Sequence, residues 1–168
     1  ISEKQQVVLK TISLGNVDTN IQTIIKNNLV NKEGNPFNVV ELENDLKKVI
    51  QYFQSQGYFF ANISNLNGES LLSYDKSYTS VELHPEIILD HKICYNEAII
   101  NGNIKTKPEV ISREINIAKG EMITPAKLEI IRQKLSNLGL FSTLRLSPFM
   151  LYEDDQQSCA KTNIVIQV

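Results

Sequence analysis

No apolar run in the sequence approaches the roughly 18 residues that a membrane-crossing helix needs. That excludes a helical anchor within these residues. Dense runs of lysine or arginine are also missing. The 17 basic side chains face 19 acidic ones, for a formal net charge of -2, so nucleic acid is a poor fit as a partner. The only histidines are His84 and His91, and nothing in their placement makes a triad or a zinc pair. The two cysteines, Cys94 and Cys159, match no metal motif. There is no glycine-rich phosphate loop with its lysine and no nucleophile elbow. Glu153, Asp154 and Asp155 cluster, but a cation needs more oxygen ligands at defined spacing, and the cluster reads as a solvated loop. The expectation is therefore no catalytic residue, no metal and no cofactor. The chain opens at Ile1 with no visible signal peptide, which fits a mature protein or an excised fragment.

What is present suits a packed fold. Hydrophobic residues make up 42% of the 168 positions, with six Phe and six Tyr. That length fits one ordinary domain or two small ones. Charge is uneven: residues 1–91 carry 7 basic and 11 acidic groups (-4), and residues 92–168 carry 10 and 8 (+2). The mildly basic second half could make weak contact with an anionic membrane surface.

An internal repeat organises the chain. Thr11-Ile-Ser-Leu-Gly-Asn16 is similar to Ala98-Ile-Ile-Asn-Gly-Asn103, at an offset of 87. Thr19 with Gln22 and Thr106 with Glu109 share capping-box spacing at the same offset. Gly34 matches Gly120 at offset 86, and Gly57-Tyr-Phe59 matches Gly139-Leu-Phe141 at offset 82. Loop-length changes produce such drift. The reading is two copies of one module, 1–91 and 92–168, joined near Asp90-His91-Lys92.

Each copy reads as β-α-α-β-β. In the first, a strand near residues 6–14 ends in the turn Gly15-Asn16. A helix near 20–29 carries Ile21, Ile24, Ile25 and Leu29 at helical spacing. Asn38 caps a second helix whose stripe is Leu42, Leu46, Val49 and Phe53. Gly57 stops it, and strands are expected at 58–63 and 81–89. In the second copy, a strand at 93–100 leads to the turn at Gly102-Asn103. A helix from Thr106 to about Ile115 follows, then a loop with Gly120. Thr124 and Pro125 open the next helix, striped by Leu128, Ile131, Leu135 and Leu138. Gly139 stops it; strands are expected at 141–146 and 163–168. Two helices must cover one face of a three-stranded sheet, because each element has one apolar side to hide.

The second copy resembles the POTRA consensus of the Omp85 superfamily. The resemblance lies in Ile99-Ile-Asn-Gly-Asn-Ile-Lys-Thr106, Val110-Ile-Ser-Arg-Glu-Ile115, Lys119-Gly120, Leu128 through Arg132, and Leu135-Ser-Asn-Leu-Gly-Leu-Phe141, closing with Asn163-Ile-Val-Ile-Gln-Val168. It is strongest toward the outer-membrane assembly factors. The first copy retains Gly15-Asn16, two capped helices and Gly57-Tyr-Phe59, but departs at Leu83-His-Pro-Glu-Ile87. The resemblance implies an α+β fold of two tandem POTRA modules. Each has a three-stranded mixed sheet, third strand central, covered on one face by two antiparallel helices. Proline in a central strand loses a ladder hydrogen bond, so the third strand either starts after Pro85 or bulges there.

The resemblance also implies a location and partners: the periplasm, as the soluble arm before a C-terminal β-barrel of the same parent chain. Such an arm receives unfolded outer-membrane proteins or holds accessory lipoproteins and other periplasmic proteins. The alternatives are the arm of a dedicated secretion or import pore and a structural scaffold module of another membrane complex. The residues supply a binding mode of their own. Open sheet edges recruit strands. The second strand of each module is expected to be such an edge: Tyr58, Phe59, Phe60, Ala61, Asn62 and Ile63 in one, Phe141, Ser142, Thr143, Leu144, Arg145 and Leu146 in the other. Neither stretch contains proline and only Arg145 is charged. Gly57 with Phe59 and Gly139 with Phe141 are expected to turn the chain and anchor it in the core. Asp90, His91 and Lys92 are expected to form the hinge of a semi-rigid arm, with a hinge-free rod as the equal alternative. Cys94 and Cys159 fall near the starts of neighbouring parallel strands, where a disulfide and two free thiols are both open readings.

Overall fold

The structure is a computed structural model, and it describes residues 6–103, 106–151 and 159–168. The acidic Glu153–Asp155 stretch lies outside these. The chain divides into two compact units. One comprises Ile1–Phe53 with Ala61–Leu89, the other Gln54–Phe60 with Asp90–Val168.

The first unit opens with strand β1 (Val8–Ile12) and helix α1 (Thr19–Asn28). A short 3-10 turn (Val39–Glu41) leads into helix α2 (Leu42–Ser55). Two-residue β2 (Asn62–Ile63), β3 (Leu72–Tyr74), β4 (Ser80–Leu83) and two-residue β5 (Ile87–Ile88) follow. The main sheet runs β1-β4-β3, with β4 central, parallel to β1 and antiparallel to β3. Leu9 and Ile12 of β1, Val81 and Leu83 of β4, Ile25 of α1, and Leu46, Val49 and Phe53 of α2 are buried. The helix stripe is thus core, and the apolar spacing of α2 explains its helical register.

Asp45 also lies on this buried side of α2, at 1% exposure. A buried carboxylate is tolerable only when satisfied. Asp45 accepts from the Val30 and Asn31 amides at 2.7 and 2.8 Å and from the Asn31 side chain at 2.9 Å. It thereby ties α2 to the loop that follows α1.

The second unit contains β6 (Ile93–Asn101), α3 (Pro108–Ser112), α4 (Pro125–Asn137), β7 (Arg145–Met150) and β8 (Ala160–Gln167). Its sheet runs β6-β8-β7, again parallel on one side of the central strand and antiparallel on the other. Ile93, Ile111, Ile123, Leu128, Ile131, Leu135, Ile164 and Ile166 form one core, with Phe59, Phe141 and Leu138 packed against it. Cys94 and Cys159 form a disulfide with Cα atoms 5.8 Å apart. It joins the start of β6 to the residue before β8.

Several local expectations are corrected. Asp18, not Thr19, caps α1: its carboxylate accepts from the Asn20 and Ile21 amides, a stronger acceptor one residue earlier. Lys107, not Thr106, precedes α3, and Pro108 takes the first helical position. That helix ends at Ser112, short of Ile115, although Ile115 still reaches the core. The third strand of the first module neither starts after Pro85 nor bulges there. It ends at Leu83, and His84 donates its N–H to the Leu71 carbonyl before the proline is reached.

Two outcomes follow for the second unit. Leu135 is fully buried, so Leu135→Ala should cost about 2–5 kcal/mol in urea unfolding. A loss under about 1 kcal/mol would contradict its place in the core. The disulfide spans 65 residues of sequence. In the chain-entropy account, opening a loop of that size removes roughly 4 kcal/mol. The double variant Cys94→Ser, Cys159→Ser should therefore unfold at clearly lower urea, and alkylation with intact-mass measurement should label the wild type only after reduction.

Candidate functional site

A three-stranded sheet has two margins, each with a row of outward N–H and C=O groups. In both units the margin of the first strand is covered from within. In the first, the Gly34 amide donates to the Leu9 carbonyl at 2.7 Å, the Leu9 amide to Asn35 at 2.9 Å, and the Phe37 amide to Val7 at 2.7 Å. In the second, the Gly120 amide donates to Tyr95 at 2.7 Å, the Tyr95 amide to Glu121 at 2.8 Å, and the Ile123 amide to Ile93 at 2.9 Å. Every pair repeats at an offset of 86, the offset of Gly34 and Gly120 themselves. Both glycines hold positive φ, +82° and +83°, which lets the inter-helix loop turn flat against its strand. Among the described residues, the margins left without a strand partner are β3 and β7.

Neither is the strand expected from the sequence. Tyr58, Phe59, Phe60 and Ala61 form no strand, and Asn62–Ile63 pairs with Ile87–Ile88 in a separate two-stranded sheet. Gly57, at φ +94°, turns the chain so that Phe59 packs into the core of the second unit. A Cβ on Gly57 would meet the end of the flexible Met122 side chain, which can move aside, so it is the positive φ that requires glycine. In the second unit Phe141, Ser142, Thr143 and Leu144 precede the strand, and only Arg145 and Leu146 belong to it.

Hydrogen-bond phase decides which groups point outward. In an antiparallel pair, residues alternate between bonding the neighbour and facing away. On β3 the His84 amide donates to Leu71 and the Asp75 amide to Ser80. With Ser73 opposite Glu82, residues 71, 73 and 75 bond inward. The backbones of Leu72 and Tyr74 face out. On β7 the Leu151 amide donates to Lys161, which puts 145, 147 and 149 inward by the same alternation. Leu146, Pro148 and Met150 then face out, and Pro148 has no N–H to offer. Proline on the solvent side of an edge strand is a common way to blunt it. Pro148 lies beyond the proline-free stretch 141–146 named as the second module's edge, whereas β3, which replaces 58–63 as the edge of the first, has neither proline nor charge.

The β3–β4 hairpin is closed by Asp75. Its carboxylate accepts from the Ser77 hydroxyl at 2.6 Å, the Thr79 and Ser80 amides at 2.7 and 2.8 Å, and the Thr79 hydroxyl at 3.0 Å. These donors, led by the Ser77 hydroxyl, hold its pKa well below the ordinary aspartate value. Tyr78 lies within this turn at φ +54°. On the outer face of the same sheet Lys10 pairs with Glu82 at 2.9 Å, and the Lys10 ammonium lowers the Glu82 pKa.

The remaining expected residues fall as follows. Gly15, Gly102 and Gly139 hold positive φ, and a Cβ on Gly102 would collide with the Val168 carbonyl. Asn16 follows Gly15 in its turn, and the Asn103 side chain donates to the Thr106 carbonyl. Asp90 accepts from the His91 amide, and Lys92 lies 5.2 Å from the Tyr58 ring centroid. Among the described residues there is no group of three or more His, Cys, Asp or Glu side chains able to hold a metal. No described helix is long and apolar enough to cross a membrane. The sequence reading missed Leu72, Tyr74, Asp75 and Pro148. Asp75-Lys-Ser-Tyr-Thr79 after Leu71-Leu-Ser-Tyr74 was the available hairpin signal.

Because the Asp75 pKa is depressed in the folded state, its contribution is present above the unfolded value of about 3.9 and is lost as pH falls below it. The Thr79 and Ser80 amide NMR signals should therefore hold steady through pH 4 and move only well below it. A titration midpoint at 4 would show the carboxylate to be free.

The POTRA family model, described as surface antigen variable number repeat, matches residues 11–84 and again 95–168. The outer membrane protein assembly factor BamA of Nitratidesulfovibrio vulgaris (strain Hildenborough) is 28% identical over 125 residues, covering 74% of this chain and 15% of that protein. BamA of Neorickettsia risticii is 24% identical over 115 residues, 66% of this chain and 14% of that one. The chain thus spans about one seventh of the relatives it matches. Among solved structures, POTRA3-5 of Haemophilus influenzae BamA superposes with a TM-score of 0.69 at 12% identity, over 98% of this chain and 61% of that one. Haemophilus ducreyi BamA lacking POTRA domains 1-3 gives 0.69 at 14% identity, over 96% and 29%. With two family matches that together span most of its length, the chain belongs to the POTRA family, as two consecutive POTRA modules.

Proposed function

We propose that these modules are part of the periplasmic arm of an outer-membrane assembly factor, and that they act by binding, without catalysis. The arm takes up extended segments of unfolded outer-membrane proteins, or of accessory proteins, as an added strand on β3 of the first module. The observation that carries this reading is the outward backbone of Leu72 and Tyr74 on an edge with no proline and no charge. Main-chain pairing gives affinity without demanding one sequence, which suits a receptor for many precursors. The sheet also states a preference. Leu72 and Tyr74 share the apolar face with Leu83 and Val81, whereas Ser73 shares the polar face with Glu82 and Lys10. An added strand continues both faces when its apolar and polar residues alternate.

Two further observations support the setting. The relatives are named as outer membrane protein assembly factors, and the disulfide suits an oxidising compartment such as the periplasm.

The test is an amide NMR titration of the whole chain with a short capped peptide of alternating threonine and valine. Leu72 and Tyr74 should shift while Leu146 and Met150 stay. Tyr74→Pro removes an outward N–H, follows the extended residue Ser73 as proline demands, and should weaken binding severalfold, as loss of one net hydrogen bond implies. Pro148→Val restores the missing donor and should create a second set of shifts along β7. Shifts confined to β7 in the wild type, or none on either edge, would end the reading.

A further inference from the structure

The open edge of the first module ends in two exposed aromatic rings. Tyr74 and Tyr78 are 42% and 70% exposed, with centroids 5.8 Å apart and planes tilted by 35°. Tyr78 is the non-glycine residue with positive φ among the described residues. A bulky side chain is costly there, and glycine fits the same backbone without that cost. The turn does not depend on the tyrosine ring, because Asp75 closes it with four hydrogen bonds. What Tyr78 contributes beyond glycine is its ring, set against Tyr74. Strain retained in this way points to use of the side chain.

Tyr74 is also one of the two β3 residues whose backbone faces outward. A residue paired with it on an added strand stands directly beside it, with its side chain on the same face. That face is the apolar one, since Tyr74 sits opposite buried Val81. We propose that Tyr74 and Tyr78 select the bound segment, favouring one with an aromatic side chain opposite Tyr74. The inference rests on the strand-pairing reading and adds a residue preference to it. An aromatic pair gains over an aliphatic contact through edge-to-face or offset packing. The neighbouring carboxylate, Asp75, is already occupied by its own donors.

The experiment compares two capped peptides, both alternating threonine and valine, one with its central valine replaced by phenylalanine. Affinity for the whole chain is measured by amide titration. The phenylalanine peptide should bind about threefold to tenfold more tightly. Tyr78→Gly relieves the backbone strain, so the variant should unfold no earlier than wild type, and the ratio of the two affinities should fall to about one. Equal binding of both peptides by wild type overturns the inference and leaves strand pairing standing. A preference that survives Tyr78→Gly also overturns it. Binding of neither peptide overturns strand pairing, and the selection with it. A neutral oligosaccharide such as chitotetraose shifting the Tyr74 and Tyr78 signals, with no peptide preference, would reassign the ring pair to sugar stacking.

Discussion

A backbone N–H or C=O at the margin of a small sheet must find a partner in the fold, in water or in another chain. Three strands give two margins, so each module has to deal with this twice. On the first strand both modules use the same device. The loop between the helices lays an antiparallel run of three amide bonds along it, entered through a glycine at positive φ. The bonded residues correspond one to one at an offset of 86, so the device belongs to the module and not to a local accident. Having closed one margin, the fold leaves the hairpin strand as its remaining edge. Whatever the modules do with extended chains depends on how that edge is finished.

The modules finish it differently. In the second, three outward positions on β7 include Pro148, so the middle donor is absent. In the first, β3 is shorter but keeps the donors of Leu72 and Tyr74. A longer edge with a gap and a shorter edge without one are not equivalent to an incoming strand, because hydrogen bonds along a ladder must be in register. The shared frame sets where an edge lies, and single residues on it decide whether it is usable.

These decisive residues were also the least legible in the sequence. The helices were readable because their apolar stripes repeat at helical spacing: Leu46, Val49 and Phe53 in α2, and Leu128, Ile131 and Leu135 in α4, are all buried. The repeat was readable because turn glycines have few substitutes at positive φ. Edge strands give no such signal. β3 is three residues inside a polar stretch, and one of its faces meets solvent, so no alternation long enough to notice develops. The aromatic run at 58–60 looks more like a strand, yet it supplies Phe59 to the core of the second unit after a glycine turn. β7 was displaced for a related reason. Its Pro148 argues against a strand unless the ring nitrogen is known to face outward, and only the pairing register shows that it does. The cap of α1 was missed by one residue because Asp18 and Thr19 are both competent, and the carboxylate took the role.

Modules this small bury a limited core, and both add a specific tie to it. In the first, Asp45 holds the loop after α1 through three N–H donors. In the second, a disulfide holds the start of β6 to the start of β8. Each tie acts away from the hairpin strand. Asp45 bonds α2 to a loop, and the cystine joins the parallel pair on the other side of the central strand from β7. Strengthening the frame there leaves β3 and β7 free of added constraint. Residues on those edges can then vary between modules, a proline in one and a tyrosine pair in the other, while the helices and the parallel pair of strands continue to hold each sheet together.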